Sequence, residues 1–278
     1  MFCDNDGMTS TVSTSDRADS LPAVGALRQR LRTAAIALAC FGVLALAVDL
    51  DVARWCKSGH IPKEIMRFLN FSEVFAHGIG VATLLLTALV LDPTLAGRRA
   101  TPRLRCPDVV KRLVNAVLSR WTRLRFDSLP VSRDFVRMAT TAFAGGLVAN
   151  LIKWTLVDRI RPRAANLGAV VSALSTFGNS IASDLPDLSH SDANSFPSGH
   201  AATAAGLAAA LSWKYPRGSW LFVALATAAA AQRVASSAHY PSDVLLGAAV
   251  GLICAAFLLG TMKPEGTEQD TSTSPASR

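Results

Sequence analysis

The sequence predicts an all-α integral membrane protein: a bundle of six transmembrane helices, with a basic amphipathic helix on the membrane surface between spans two and three. Three observations predict it. Half of the 278 residues are hydrophobic and only 17% are charged, a balance unusual for a soluble domain. The apolar residues gather into runs of roughly 20, the length that crosses a hydrocarbon core. The net charge of +8 clusters between those runs, which suits an anionic leaflet and argues against nucleic acid as a partner.

In order along the chain, residues 1 to about 26 are rich in Ser, Thr and Asp and read as a disordered tail. The apolar stretch behind them starts too late and runs too long for a secretory signal. The membrane domain then occupies 27–262. Its first span is Leu31–Asp51, preceded by Arg28, Arg30 and Arg32. In the polar and aromatic stretch that follows, Pro62 opens a short helix carrying Ile65, Met66, Phe68 and Leu69. The second span is Phe71–Leu91, closed by Asp92-Pro93. Residues 93–133 are the most basic of the chain. Within them Val110, Leu113, Val114, Val117, Leu118 and Trp121 recur at helical spacing, which predicts the surface helix over 109–124.

The third span, Phe135–Val157, contains Gly145-Gly146, small residues that allow helices to pack closely. A long loop runs from Asp158 to Pro197. The fourth span, Ser198–Trp213, is mostly Ala and Gly, too short and smooth to face lipid all round, and belongs inside the bundle. Ser219–Ala238 and Pro241–Met262 are the fifth and sixth, and residues 263–278 are a second disordered tail. Six spans put both termini on one side. Their arginines, with those of 93–133, make that side the cytoplasm of a multi-pass cell-membrane protein. Cys3, Cys40, Cys56, Cys106 and Cys254 are scattered and odd in number, so neither a disulfide framework nor a zinc site is expected.

On this topology, polar residues from four distant segments meet at the periplasmic or extracellular end. Lys153 lies near the end of the third span and Arg161-Pro162 just beyond it. Ser198-Gly199-His200 open the fourth, Arg233 ends the fifth, His239 lies in the loop and Asp243 in the first turn of the sixth. Charges at membrane depth are costly and usually functional. Lys153, Arg161 and Arg233 match the charge of a phosphoryl group, and the Ser198 hydroxyl and Gly199 N–H at a helix start complete the cradle. His239 precedes Asp243 by four residues, so the carboxylate can hold one imidazole nitrogen and leave the other free to attack phosphorus. His200 is placed to protonate the leaving oxygen and then to activate water. The side chains supply the positive charge, and no metal or cofactor is called for.

Asp184, Asp187, His190 and Asp192 read as a solvated loop, not a metal site, in which Phe177 and Leu188 can screen head groups. His60 and His77 have no partner motif and read as structural.

Lys153…Arg161-Pro162, Pro197-Ser198-Gly199-His200 and Arg233…His239…Asp243 resemble, in order, the three motifs of the type 2 phosphatidic acid phosphatase and vanadium haloperoxidase superfamily. The resemblance covers about 135–255, and six spans agree with its membrane branch. It implies a phosphohistidine on His239, oriented by Asp243, with His200 as acid and base, in a site facing the periplasm or lumen. Two features depart from the family. Seven residues separate Lys153 from Arg161 where the family has six, and Gln232 stands where it usually has Ser. The expected activity is hydrolysis of a lipid phosphate or diphosphate: phosphatidic acid, phosphatidylglycerol phosphate, a polyprenyl diphosphate or a phosphorylated glycolipid. A phosphotransferase passing the group to a lipid or sugar uses the same residues. Six spans count against a haloperoxidase, and the His239–Asp243 pairing counts against a non-catalytic channel or anion-binding protein.

Overall fold

The computed structural model describes residues 14–96, 131–178, 189 and 191–259. Among them are eight α-helices and no strand: α1 Thr14–Ala45, α2 Asp49–Lys57, α3 Lys63–Ser72, α4 Gly78–Leu91, α5 Arg133–Thr155, α6 Gly199–Lys214, α7 Ser219–Ala235 and α8 Pro241–Leu259. The surface helix expected over 109–124 lies outside the described residues. So do residues 1–13 and 263–278 of the expected tails, and the loop residues Asp184, Asp187, Leu188 and His190. Helix α1 takes in 14–26, which composition alone assigned to the tail. Once the apolar turns behind it exist, each added residue extends the hydrogen-bonded ladder without a new nucleus.

Two helices, α5 and α8, are by themselves long and apolar enough to cross a membrane. Two more spans result if each bent pair counts as one: the α1–α2 pair bends by 74° and the α3–α4 pair by 65°. The remaining two apolar runs form α6 and α7, of 16 and 17 residues, shorter than the roughly 20 residues of a typical crossing. Ile36, Phe41, Leu86, Val90, Leu147, Trp154, Val223 and Phe257 expose large apolar side chains around the outside, as the surface of a membrane protein does.

Helix α6 is the axis of the bundle. Nearly every one of its residues is buried, and it packs against α5, α7 and α8. Its alanines and glycines let neighbouring backbones come close. A Cβ placed on Gly145 of α5 would stand 2.7 Å from Gly251 Cα of α8 and 2.9 Å from the Ala202 carbonyl oxygen of α6. Both neighbours are main chain and cannot swing aside. Gly145→Ala is therefore expected to destabilise the protein by about 1–3 kcal/mol through overpacking, read as a lower unfolding midpoint in detergent. An unchanged midpoint would mean that the three backbones can spread.

Helix α2, turned across the end of the bundle, straps down the segment after α5. Arg54 donates to the carbonyls of Leu167 and Val170, and Lys57 donates to those of Arg163 and Ala165. Leu50, Ala53, Ile160, Leu167, Val170 and Tyr240 form a small apolar cluster beneath the strap.

Candidate active site

Four local devices bring the chemistry to one end of the bundle. Lys153 is buried in the last turn of α5. At the start of α6, the Ser198 hydroxyl accepts the Ala201 N–H at 3.4 Å, a side-chain cap. The Ser198 N–H donates to the Asp243 carbonyl at 3.0 Å, so the starts of α6 and α8 are tied together. Helix α7 ends with Ala238 N–H on the Arg233 carbonyl and Ser237 N–H on that of Val234, with Ser237 left-handed at φ 52°. That pair of bonds is a Schellman stop, with serine where glycine is usual. It turns the chain sharply, so that His239 enters the bundle between Arg233 and Asp243.

His239 is buried. Its Nδ1 lies 3.3 Å from Ser195 Oγ and 3.7 Å from Asp243 Oδ2, the latter too long for a hydrogen bond. Ser195 donates its own proton to Asp243 Oδ2. The hydroxyl must then accept from Nδ1–H, which fixes the tautomer and leaves the Nε2 lone pair free. Asp243 Oδ2 also accepts the Tyr240 N–H at 2.9 Å. Burial pulls the His239 imidazole down to about 4, against the opposing pull of Asp243.

The other carboxylate oxygen of Asp243 takes Arg159, a residue the motifs did not single out. Arg159 is fully buried. Its Nε donates to Thr176 Oγ1 at 2.9 Å, and its terminal nitrogens reach Ser242 Oγ at 2.8 Å and Asp49 Oδ2 at 2.7 Å. Its guanidinium carbon lies 4.4 Å from the Phe177 ring centroid and 4.0 Å from that of Tyr240, close enough for cation–π attraction on both rings. Phe177, expected at the entrance, thus also contacts this buried cation. The Arg159 backbone is pinned as well, its N–H on the Ala193 carbonyl and its own carbonyl receiving Ser195 N–H. That pairing sets Ser195 against Asp243.

In front of this assembly lies a cavity of about 920 Å³. Lys153, Arg161, Gly199, His200 and His239 line it together with the polar His77, Thr140 and Asn150 and the apolar Phe143, Leu147 and Trp154. Lys153, Arg161, Gly199, His200 and His239 are therefore brought to one surface. Ser198, Arg233 and Asp243 are set behind or beside it. A Cβ on Gly199 would meet Asn150 Oδ1 at 2.9 Å, so glycine here also lets α5 approach. Arg161 is held by the carbonyls of Ser191, Ala238 and Asn194. Burial, then the charges of Arg163 and Arg233, lowers its pKa from the usual guanidinium value. A cation held this way at a cavity wall is ready for an anion.

Arg233 donates to Glu73 Oε1 at 2.6 Å and to Gln232 Oε1 at 3.2 Å, while its buried Nε has no hydrogen-bond partner among the described residues. Gln232, the departure from the family serine, also donates to Asn70 Oδ1 at 3.1 Å. His77 lines the cavity, with its ring centroid 5.9 Å from that of His200. His60 stacks on Trp55 instead. Asp192 pairs with Arg163 at 2.7 Å. The α3–α4 corner thus supplies a wall through Ala76, His77 and Gly78, and holds Gln232 and Arg233 through Asn70 and Glu73, which spacing did not reveal.

Comparison with known proteins covers the same part of the chain. Residues 134–266 match the model of the PAP2 superfamily. Two proteins named lipid A 1-phosphatase, from Rhizobium etli and Rhizobium johnstonii, are each 34% identical over 134 residues, 48% of this chain and 53% and 50% of theirs. The chain spans about half the length of these curated relatives. No solved structure matches. The matched segment contains α5 to α8 and all three motif groups, and over it the chain is similar to the PAP2 superfamily.

Proposed function

We propose that the protein is an integral membrane phosphatase that removes phosphate from a lipid phosphate or diphosphate through a phosphohistidine on His239. The observation that carries this reading is the buried His239, its Nδ1–H directed to Ser195, which in turn donates to Asp243, beside a cavity lined by Lys153, Arg161, Gly199 and His200. Nε2 attacks phosphorus, and the bond from phosphorus to the lipid oxygen breaks. Protonated His200 gives its proton to that oxygen. A phosphate dianion among Lys153, Arg161 and Arg233 brings the negative charge that favours protonated His200. Neutral His200 then takes a proton from water, whose oxygen displaces His239 from phosphorus and frees phosphate. The cations and the start of α6 hold the phosphoryl oxygens, so no metal ion enters the scheme.

The names of the relatives turn the choice of substrate toward a phosphorylated glycolipid. The apolar side chains in the cavity lining, Phe143, Leu147 and Trp154, suit the lipid part. The site faces the periplasm or cell exterior, and both termini the cytoplasm, as the distribution of arginines directs.

The test is phosphate release by purified, detergent-solubilised protein from a panel of lipid phosphates, with EDTA present. Release from one lipid, indifferent to the chelator, is expected; phosphate appearing on a lipid or sugar acceptor instead of in water would make the enzyme a transferase. The pH dependence is a second check. Burial lowers His239 to about 4, so its neutral, nucleophilic form is present through the neutral range. Its contribution to kcat/KM is lost only as pH falls through about 4. An acid limb centred near the ordinary histidine value would exclude a buried, neutral nucleophile.

A further inference from the structure

Asp49 belongs to none of the motifs, and the first apolar run passes over it. It is fully buried at the start of α2, directly after the break that ends α1. Oδ1 accepts the Ser242 N–H at 3.0 Å. Oδ2 accepts the Ser242 hydroxyl and Arg159. A carboxylate hidden at membrane depth without a task would be selected against, and this one holds the cation that touches Asp243.

Asp49, Arg159 and Asp243 form a buried chain of minus, plus and minus, with a net charge of −1. If Arg159 faced Asp243 alone, the pair would be neutral, and little field would reach His239. Asp49 draws the guanidinium from the other side and adds the charge that leaves the trio negative. That negative charge lies behind the imidazole that must become positive as it bonds to phosphorus. We propose that Asp49 is a positioning residue for phosphoryl transfer: it shares Arg159 with Asp243, orients that carboxylate toward Ser195 and His239, and keeps the trio negative. It touches neither the cavity nor the reacting atoms and acts through Arg159 and Ser242. The proposal rests on the reading of His239 as nucleophile.

The charged and titratable groups around His239 are Asp243 of α8, Lys153 of α5, His200 of α6, Arg233 of α7 and Arg161 of the loop. Glu73 and His77 of the α3–α4 corner stand beyond Arg233 and His200. Asp49 faces Arg159 and, across it, Asp243. Removing the Asp49 charge changes the field at His239 without substituting any of these groups.

The experiment uses the full chain in detergent with the lipid phosphate that gives release. It compares wild type, Asp49→Asn, Asp49→Glu and His239→Ala, with rates expressed per phosphorylatable site from a quench with labelled substrate. In Asp49→Asn, kcat is expected to fall about tenfold, the equivalent of one pKa unit at the imidazole, with KM within about twofold. The acid limb of kcat/KM should move to lower pH, because a less negative surrounding makes protonation of His239 harder. Asp49→Glu keeps the charge and should keep the limb of the wild type. Wild-type kcat and limb in Asp49→Asn would reduce Asp49 to a structural pin and overturn the proposal. If Asp49→Asn fails to fold, Asp49→Glu decides: a limb moved downward with the charge retained overturns the proposal, and an unmoved limb with reduced kcat supports it. Inactive His239→Ala beside wild-type Asp49→Asn sinks only the role of Asp49. Active His239→Ala sinks the nucleophile and the proposal with it.

Discussion

His239→Ala is expected to reduce phosphate release by about 10⁴-fold or more, the loss seen when a nucleophile working in a hydrogen-bonded unit is removed. The protein should still fold. The substituted side chain borders an existing cavity, and Ser195 still donates to Asp243. One lost partner for the Ser195 oxygen costs about 1–3 kcal/mol at most. Rapid quenching with labelled substrate gives the direct measurement. Alkali-stable, acid-labile phosphoprotein should form in wild type and be absent in the variant. Comparable turnover in both would assign the nucleophile elsewhere.

Arg159→Met should produce the largest loss of stability. It fills much the same volume but leaves Asp49 and Asp243 buried with no cation between them, and breaking a buried ion pair from one side costs about 3–5 kcal/mol. Two aromatic contacts of the guanidinium are lost as well. The unfolding midpoint in detergent should drop sharply. Part of the loss should return in the double variant Asp49→Asn with Arg159→Met, where one of the stranded charges is gone. A midpoint within about 0.5 kcal/mol of wild type, the range of an ordinary surface change, would mean that water reaches the carboxylates.

Much of the architecture was legible because membrane helices announce themselves by length and hydropathy. The centres of α4, α5 and α8 fall inside the expected spans. So does α6, whose small residues foretold its place between other helices. The helix expected behind Pro62 is α3, which starts at Lys63. The breaks at 46–48 and 76–77 were not legible, since apolar composition continues through them and carries no sign of direction. The same holds within the site. Lys153, Arg161, His200, Arg233, His239 and Asp243 stand at recognisable spacings. Asp49 and Arg159 do not, being 110 positions apart and joined only in space. A faint signal existed: an acid, Asp49, inside an apolar run, and a second arginine, Arg159, two positions before Arg161. Ser195 lies two residues before the Pro197–His200 motif, yet a hydroxyl beside a turn has too many ordinary uses to be singled out.

The glycine contact among α5, α6 and α8 also bears on how the specificity of such an enzyme can change. Where main chains touch, the contact positions have no room for a larger side chain, so the backbones of those helices are fixed relative to one another beside the cavity. The corner from Asn70 to Gly78 is joined to α7 by side-chain bonds, those from Gln232 and Arg233. Under the proposed function, divergence toward new head groups falls to cavity-lining side chains away from those contacts, such as Phe143, Leu147 and His77, while the backbone that carries the reacting groups stays where it is.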